Sequence, residues 1–169
     1  MRPYAERMEQ RNAAPRPAGE DDYPPIARLW TAAFVDSEEG ARTHEYAISD
    51  VIATAEVGHL YVVDGTDDLG AVVGLVSHSH LTGGFARRGE AMILRLAVAA
   101  NQRRRGLARL LLGHCHRLAA DEGCQAVVLW SRPTQVAAHA LYQSLGYVRV
   151  PDRDGDDPDG ARIVFALSL

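Results

Sequence analysis

A chain of 169 residues has room for one compact domain and not for two ordinary ones. Hydrophobic residues make up 47% and charged residues 24%, which allows a sizeable core and excludes wholesale disorder, a collagen-like repeat or a disulfide scaffold. With 18 Lys and Arg against 22 Asp and Glu, the net charge of −4 lacks the basic excess of a nucleic-acid binder, so any anion binding has to be local.

Residues 1–15, rich in Arg, Pro and Ala, have little periodicity and read as a flexible arm, with a short edge strand near Gln10 to Arg16. A single domain is expected over 16–169. Glu20, Asp21 and Asp22 precede Pro24 and Pro25, and Ile26, Leu29, Trp30, Ala33 and Phe34 follow at helical spacing. A second helix is predicted over about Arg42 to Ala55. Two β-rich runs, His59 to Asp64 and Gly70 to Ser77, flank Gly65 to Asp68 as a hairpin. Beyond the loop at Thr82 to Gly84, a third run covers Glu90 to Val98. A long helix then extends to about Glu122, with Leu107, Leu110, Leu111, Cys115 and Leu118 on one side, and Gly123 stops it. Gln125 to Trp130 is a buried strand by composition. Ser131 to Thr134 opens a helix ended by Gly146, and Tyr147 to Val150 and Ala161 to Leu167 form a closing hairpin around an acidic loop, Pro151 to Gly160.

Two cysteines, Cys115 and Cys124, make neither a disulfide framework nor a zinc site. His114, Cys115 and His116 are adjacent on a helix, point in different directions and cannot converge on one ion, so no metal is expected. The Asp-rich loop lacks the closing Glu of a calcium loop. No apolar run of about 18 residues suits a membrane span, and Met1 is followed by polar, Pro-containing sequence rather than a signal-peptide core. The expected compartment is the cytoplasm.

The segment from Leu96 to Leu112 carries the most chemistry. It runs from a strand through a basic turn into a helix, whose free N–H groups and dipole favour an anion. Gly106 and Ala108 let phosphate oxygens approach the backbone, and Arg103, Arg104, Arg105 and Arg109 concentrate positive charge there. A diphosphate ligand fits this turn. The alternative, arginines that merely solvate a helix end, is opposed by the dipole, which disfavours cations at an N-terminus without a compensating anion.

Arg103 to Ala108 resembles the Q/R-x-x-G-x-G/A signature of the GNAT superfamily, the acetyl-CoA-dependent N-acetyltransferases. About 30 residues downstream, Ala138 to Tyr147 resembles that family's A-x-x-L-Y-x-x-x-G-F/Y motif, and Arg16 to Asp21 resembles its opening R-x-A-x-x-D. The resemblance implies an α/β (α+β) fold: a mixed, mostly antiparallel sheet of about six to seven strands flanked by about four helices, strands four and five splayed around acetyl-CoA. It implies that backbone groups of Leu96, Ala97 and Val98 pair with the pantetheine arm. The amides from Arg104 through Gly106, Leu107 and Ala108 to Arg109 would hold the pyrophosphate. Tyr142 would lie beside the thioester sulfur as general acid. Gln135 stands where many members have an Asn that contacts the cofactor.

For the base, Glu90 acting through a water is the first choice and His78 or His80 the second. Met92 occupies the position nearest the usual catalytic glutamate of some members and cannot act as one. Even spacing along the strand puts Glu90, Met92, Leu94 and Leu96 on one face. The expected reaction is acetyl transfer from acetyl-CoA to a primary amine of a small molecule or peptide, by direct attack in a ternary complex. The alternative is a non-catalytic acyl-CoA-binding regulatory or sensing module of the same fold. Asp36, Glu38, Glu39, His44, Glu45 and the Pro151 to Gly160 loop would suit a cationic acceptor, or would only be a solvated surface. No nucleic-acid or membrane partner is expected, and the chain would be a monomer or homodimer.

Overall fold

The computed structural model describes residues 14–35, 45–77 and 86–169. Most of the expected N-terminal arm, and Asp36, Glu38, Glu39, His44, His78 and His80, lie outside them. The elements in chain order are β1 (Arg16–Pro17), α1 (Tyr23–Phe34), α2 (Ile48–Val57), β2 (His59–Asp64), β3 (Leu69–Val76), β4 (Glu90–Val98), α3 (Leu107–Asp121), β5 (Ala126–Ser131), α4 (Val136–Ser144), β6 (Val148–Arg149), β7 (Gly155–Asp157) and β8 (Gly160–Ser168). The sheet order is β1-β2-β3-β4-β5-β8-β6, with β7 beside β8. Its eight strands exceed the expected six to seven because the acidic loop holds a strand of its own, β7. No described helix is long and apolar enough to cross a membrane.

Local chemistry accounts for the helix starts. Asp22 Oδ2 accepts the Gly19 N–H at 2.8 Å, and Pro24 and Pro25 occupy a first turn that needs no donor. Asp50 Oδ2 likewise accepts the Ala47 N–H at 2.8 Å, so α2 opens at Ile48. Helix α3 buries Leu111, Leu112, Cys115 and Ala119, while Leu110, expected inward, is 37% exposed. Its apolar stripe is therefore rotated from the expected one, with Leu112 taking the inward place. Two cores result, one on each face of the sheet. Val63, Val73, Leu75, Ile93, Leu111, Cys115, Val127, Leu129 and Phe165 pack on the α3 side, and Ile26, Trp30, Val51, Leu60, Val62, Val72 and Ala97 on the α1–α2 side. Strand β3, buried along its whole length, supplies both. Each fully buried Val, Leu or Ile contributes about 1.5–3 kcal/mol.

Strands β4 and β5 are parallel and pair only at Glu90–Ala126, Ala91–Val127 and Met92–Val128. Beyond these pairs β5 follows β8 as far as Ser131–Ile163, and β4 follows β3 as far as Val98–Ala71. The sheet thus opens like a wedge from Met92 onward, with one half carried by each neighbour.

A bulge shapes the β4 wall. Val72 pairs with Ala97 but Gly74 with Leu94, so three steps of β4 face two of β3, and Arg95 takes φ 49°. That extra residue reverses the alternation. Ala91 and Ile93 face the α3 core before the bulge, and Leu96 packs against the same core after it. The even-numbered face expected from Glu90 to Leu96 is therefore broken between Leu94 and Leu96.

Glu90 stands at the closed end of the wedge. Its carboxylate meets Arg153 Nη1 at 2.8 and 2.9 Å and accepts the Arg87 N–H at 2.7 Å, in a largely buried pair. A carboxylate so engaged clamps β4 to the segment before β7. Glu90→Ala is expected to cost about 3–5 kcal/mol, because Arg153 is left buried and unpaired, while turnover per folded molecule stays at the parent level. Chemical denaturation alongside an acetyl-transfer assay checks both. A collapse of turnover at unchanged stability would restore Glu90 as the base.

Candidate active site

The open end of the wedge forms a cleft of about 800 Å³, of the size that takes small organic ligands. One wall is β4 from Ile93 to Val98, whose β5-facing backbone edge has no strand beside it past Met92 among the described residues. Amide groups of an extended ligand can pair with such an edge as an added strand does. The expected Leu96, Ala97 and Val98 all lie in this wall.

The turn after β4 leads to the start of α3. A 3-10 turn at Ala100–Gln102 is followed by Arg104 at φ 60° and Gly106 at φ 86°, the residue before the helix. The left-handed conformation at Gly106 suits glycine, and a Cβ added there would meet nothing within 4 Å. The first bond of the helix runs from the Leu110 N–H to the Gly106 carbonyl at 2.9 Å. The amides of Leu107, Ala108 and Arg109 therefore have no carbonyl of their own helix to donate to, and an anion can take them. Arg103, Arg104, Gly106, Leu107, Ala108 and Arg109 line the cleft; Arg105, the remaining expected residue, does not, and it is exposed. Leu107 also sends its side chain into the α3 core. Arg109 ties α3 to α4 through a 2.6 Å bond from Nη2 to Ser144 Oγ.

Helix α4 brings Tyr142 to the cleft as its one buried side chain. The ring packs at 5.8 Å from Tyr147 and 5.7 Å from Phe165, and burial pushes the phenol up to about 12. The same core pushes the Cys115 thiol up to about 12. Gln135 also lines the cleft, at the position before α4, and its Oε1 accepts Ser131 Oγ at 2.8 Å and the Arg132 N–H at 3.0 Å. Its oxygen thus holds the β5–α4 corner.

Glu90 is not in the cleft wall: it starts β4 at the joined end, six residues before Leu96, and is held by Arg153. Among the described residues no three His, Cys, Asp or Glu side chains cluster to hold a metal. The His114 ring lies 4.8 Å from Tyr61, and His116 Nε2 shares a 2.8 Å hydrogen bond with the Tyr147 hydroxyl.

Several lining residues escaped the sequence reading. Gln102 is buried and donates from Nε2 to Thr66 Oγ1 at 2.7 Å. Arg95 donates to Thr54 Oγ1 and to the Asp50 carbonyl, with its guanidinium over Trp30 at 4.9 Å and Tyr46 at 5.2 Å. A charge inside the otherwise apolar run from Ala91 to Val98 was the available signal for it. Arg132 lines the cleft as well, beside Asp157 and Asp159 of the acidic loop expected near the acceptor.

The fold recurs in solved structures. An N-acetyltransferase from Staphylococcus aureus Mu50 superposes with a TM-score of 0.75 at 17% identity, over 93% of this chain and 98% of that one. The ribosomal-protein-S18-alanine N-acetyltransferase from Escherichia coli gives 0.68 at 20% identity, over 92% and 93%. A phosphinothricin acetyltransferase from Sinorhizobium meliloti, in complex with AcCoA, gives 0.74 at 11% identity, over 94% and 89%. No curated relative matches by sequence. The sequence profile of the Acetyltransferase (GNAT) family spans residues 23–147, from the start of α1 to the tyrosine after α4. With the splayed strands and the glycine turn of that family in place, the chain belongs to the GNAT acetyltransferases.

Proposed function

We propose that the protein transfers an acetyl group from acetyl-CoA to a primary amine by direct attack in a ternary complex. The observation that carries this reading is the meeting, in one cleft, of the unpaired β4 edge, the open N-terminus of α3 and the Tyr142 phenol. The amides of Leu107 to Arg109 receive the diphosphate, with Arg103, Arg104 and Arg109 supplying compensating charge. The edge from Leu96 to Val98 aligns the amide-bearing arm, and a backbone N–H of that edge polarises the thioester carbonyl.

The neutral amine attacks the carbonyl carbon, and the C–S bond breaks. Tyr142 gives its proton to the leaving sulfur and regains one from the attacking nitrogen through solvent. An amide and a free thiol result, with no net proton change once the amine is neutral. Binding acetyl-CoA at 100 times its dissociation constant is expected to stabilise the protein by about 2.7 kcal/mol. Thermal melts with and without acetyl-CoA check that half, and free-thiol release over a panel of primary amines checks the other. Binding with no thiol release on any amine would leave a non-catalytic acyl-CoA module instead.

A further inference from the structure

The cleft wall has two carboxylates among its described residues, Asp157 and Asp159, both at the tip of the β7–β8 hairpin. Asp157 is fully engaged. Its two oxygens accept Arg132 Nη2 at 2.8 and 2.9 Å, and Oδ1 also accepts the Asp159 N–H at 2.9 Å. Desolvation is the largest single influence and raises its pKa, but the Arg132 hydrogen bonds, the Asp159 N–H and the charges of Arg132 and Arg162 together outweigh it and hold the carboxyl below the usual range. Arg132 is engaged just as fully. It is buried, lies 4.7 Å over the Trp130 ring, and gives Nη1 to the carbonyls of Gly160 at 2.7 Å and Ala161 at 3.1 Å. The hairpin tip is therefore clamped to the end of β5.

What the clamp holds in place is Asp159. It is half-buried in the cleft wall, and its carboxylate enters no ion pair among the described residues. The clamp stacks on Trp130, which alternates with Leu129 along β5; Leu129 faces the α3 core, so Trp130 faces the α1–α2 side. That side is opposite Tyr142, which packs in the α3 core. The arginines of the cleft wall are Arg103, Arg104 and Arg109 at the α3 turn, Arg95 on β4, stacked on Trp30 and Tyr46, and Arg132, paired with Asp157.

We infer that Asp159 is a specificity-determining residue that receives a positive charge on the acceptor, carried away from the reacting nitrogen. The inference rests on the acetyl-transfer reading above and names its acceptor class: an amine with a second cationic group. A neutral or anionic far end leaves Asp159 without a partner, and an anionic one is also repelled by it.

Three acceptors of equal length isolate the effect: 1,5-diaminopentane, 5-amino-1-pentanol and 5-aminopentanoate. The parent is expected to favour the diamine in kcat/KM. Asp159→Asn is expected to raise the KM for the diamine about tenfold, leaving kcat, the alcohol and acetyl-CoA affinity near parent values. Asp159→Glu, which keeps the charge, should restore part of the preference. Equal use of the three amines by the parent would overturn the inference, as would a diamine preference that survives Asp159→Asn, a preference for 5-aminopentanoate, or an equal loss on all three acceptors. Absence of thiol release with every amine would instead remove the acetyl-transfer reading, and the inference with it, while calorimetric binding of acetyl-CoA reports separately that the cleft is intact.

Discussion

Tyr142→Phe is expected to lower acetyl transfer by about 100- to 10,000-fold, the usual contribution of a positioned general acid. The substitution removes one hydroxyl and keeps the ring, so the packing on Tyr147 and Phe165 persists and acetyl-CoA affinity should change little. The loss falls on kcat rather than on binding, because the proton moves only as the C–S bond breaks. With its phenol pushed up to about 12, Tyr142 stays protonated through the neutral range. Its role therefore adds no limb to the pH profile between pH 6 and about 10. Steady-state kinetics on a turned-over amine, with calorimetry for acetyl-CoA, separate the two effects. Full turnover in the variant would show that solvent protonates the sulfur.

Gly106→Glu is expected to abolish acetyl-CoA binding, with at least about a 100-fold loss of affinity. A carboxylate facing a phosphate at 4 Å costs ~1 kcal/mol in water and ~4 kcal/mol in a partly desolvated cleft, before any loss of close backbone approach. The fold should survive, since a Cβ at this position meets no protein atom within 4 Å and the rest of the side chain starts from open space. Backbone strain adds about 1–2 kcal/mol, because φ 86° is costly for any residue with a Cβ. Gly106→Ala separates the contributions: it carries the strain without the charge, so its melting temperature falls while binding weakens only in part. An unchanged dissociation constant for Gly106→Glu would remove the diphosphate from the α3 turn.

The regular elements were legible because their patterns are local. Glu90 to Val98 is an apolar run bounded by Gly89 and a polar turn, and the structure gives β4 those limits. The glycine turn and the start of α3 were equally plain, since Gly106 and the arginines are contiguous. The bulge at Arg95 was not legible: an alternation of period two cannot reveal the one residue that breaks it. Nor was the fate of Glu90, which depends on Arg153, 63 residues away in sequence and brought near by the strands between.

The acidic loop was legible only in part, for the same reason. Five aspartates from Asp152 to Asp159 look like one negative surface, yet Asp154 pairs with Arg149 and Asp157 with Arg132. Sequence shows charge density, whereas only the fold shows which charges are already neutralised. Of the acidic residues expected near the acceptor, Glu45 is exposed and absent from the cleft wall, and Asp157 and Asp159 line it.

The wedge between β4 and β5 has a further consequence for how the protein avoids self-association. Open strand edges at the rim of a sheet invite other chains to add to them. Here the uncapped stretch of β4 is in the middle of the sheet, between the two halves rather than at either margin. Arg103 and Arg104 stand at its far end, while β5 and the β8 hairpin wall the opposite side. A slender, flexible ligand arm can enter this slot, but another folded sheet cannot lay its margin there. Backbone groups left open for recognition are thereby sheltered from becoming a template for aggregation.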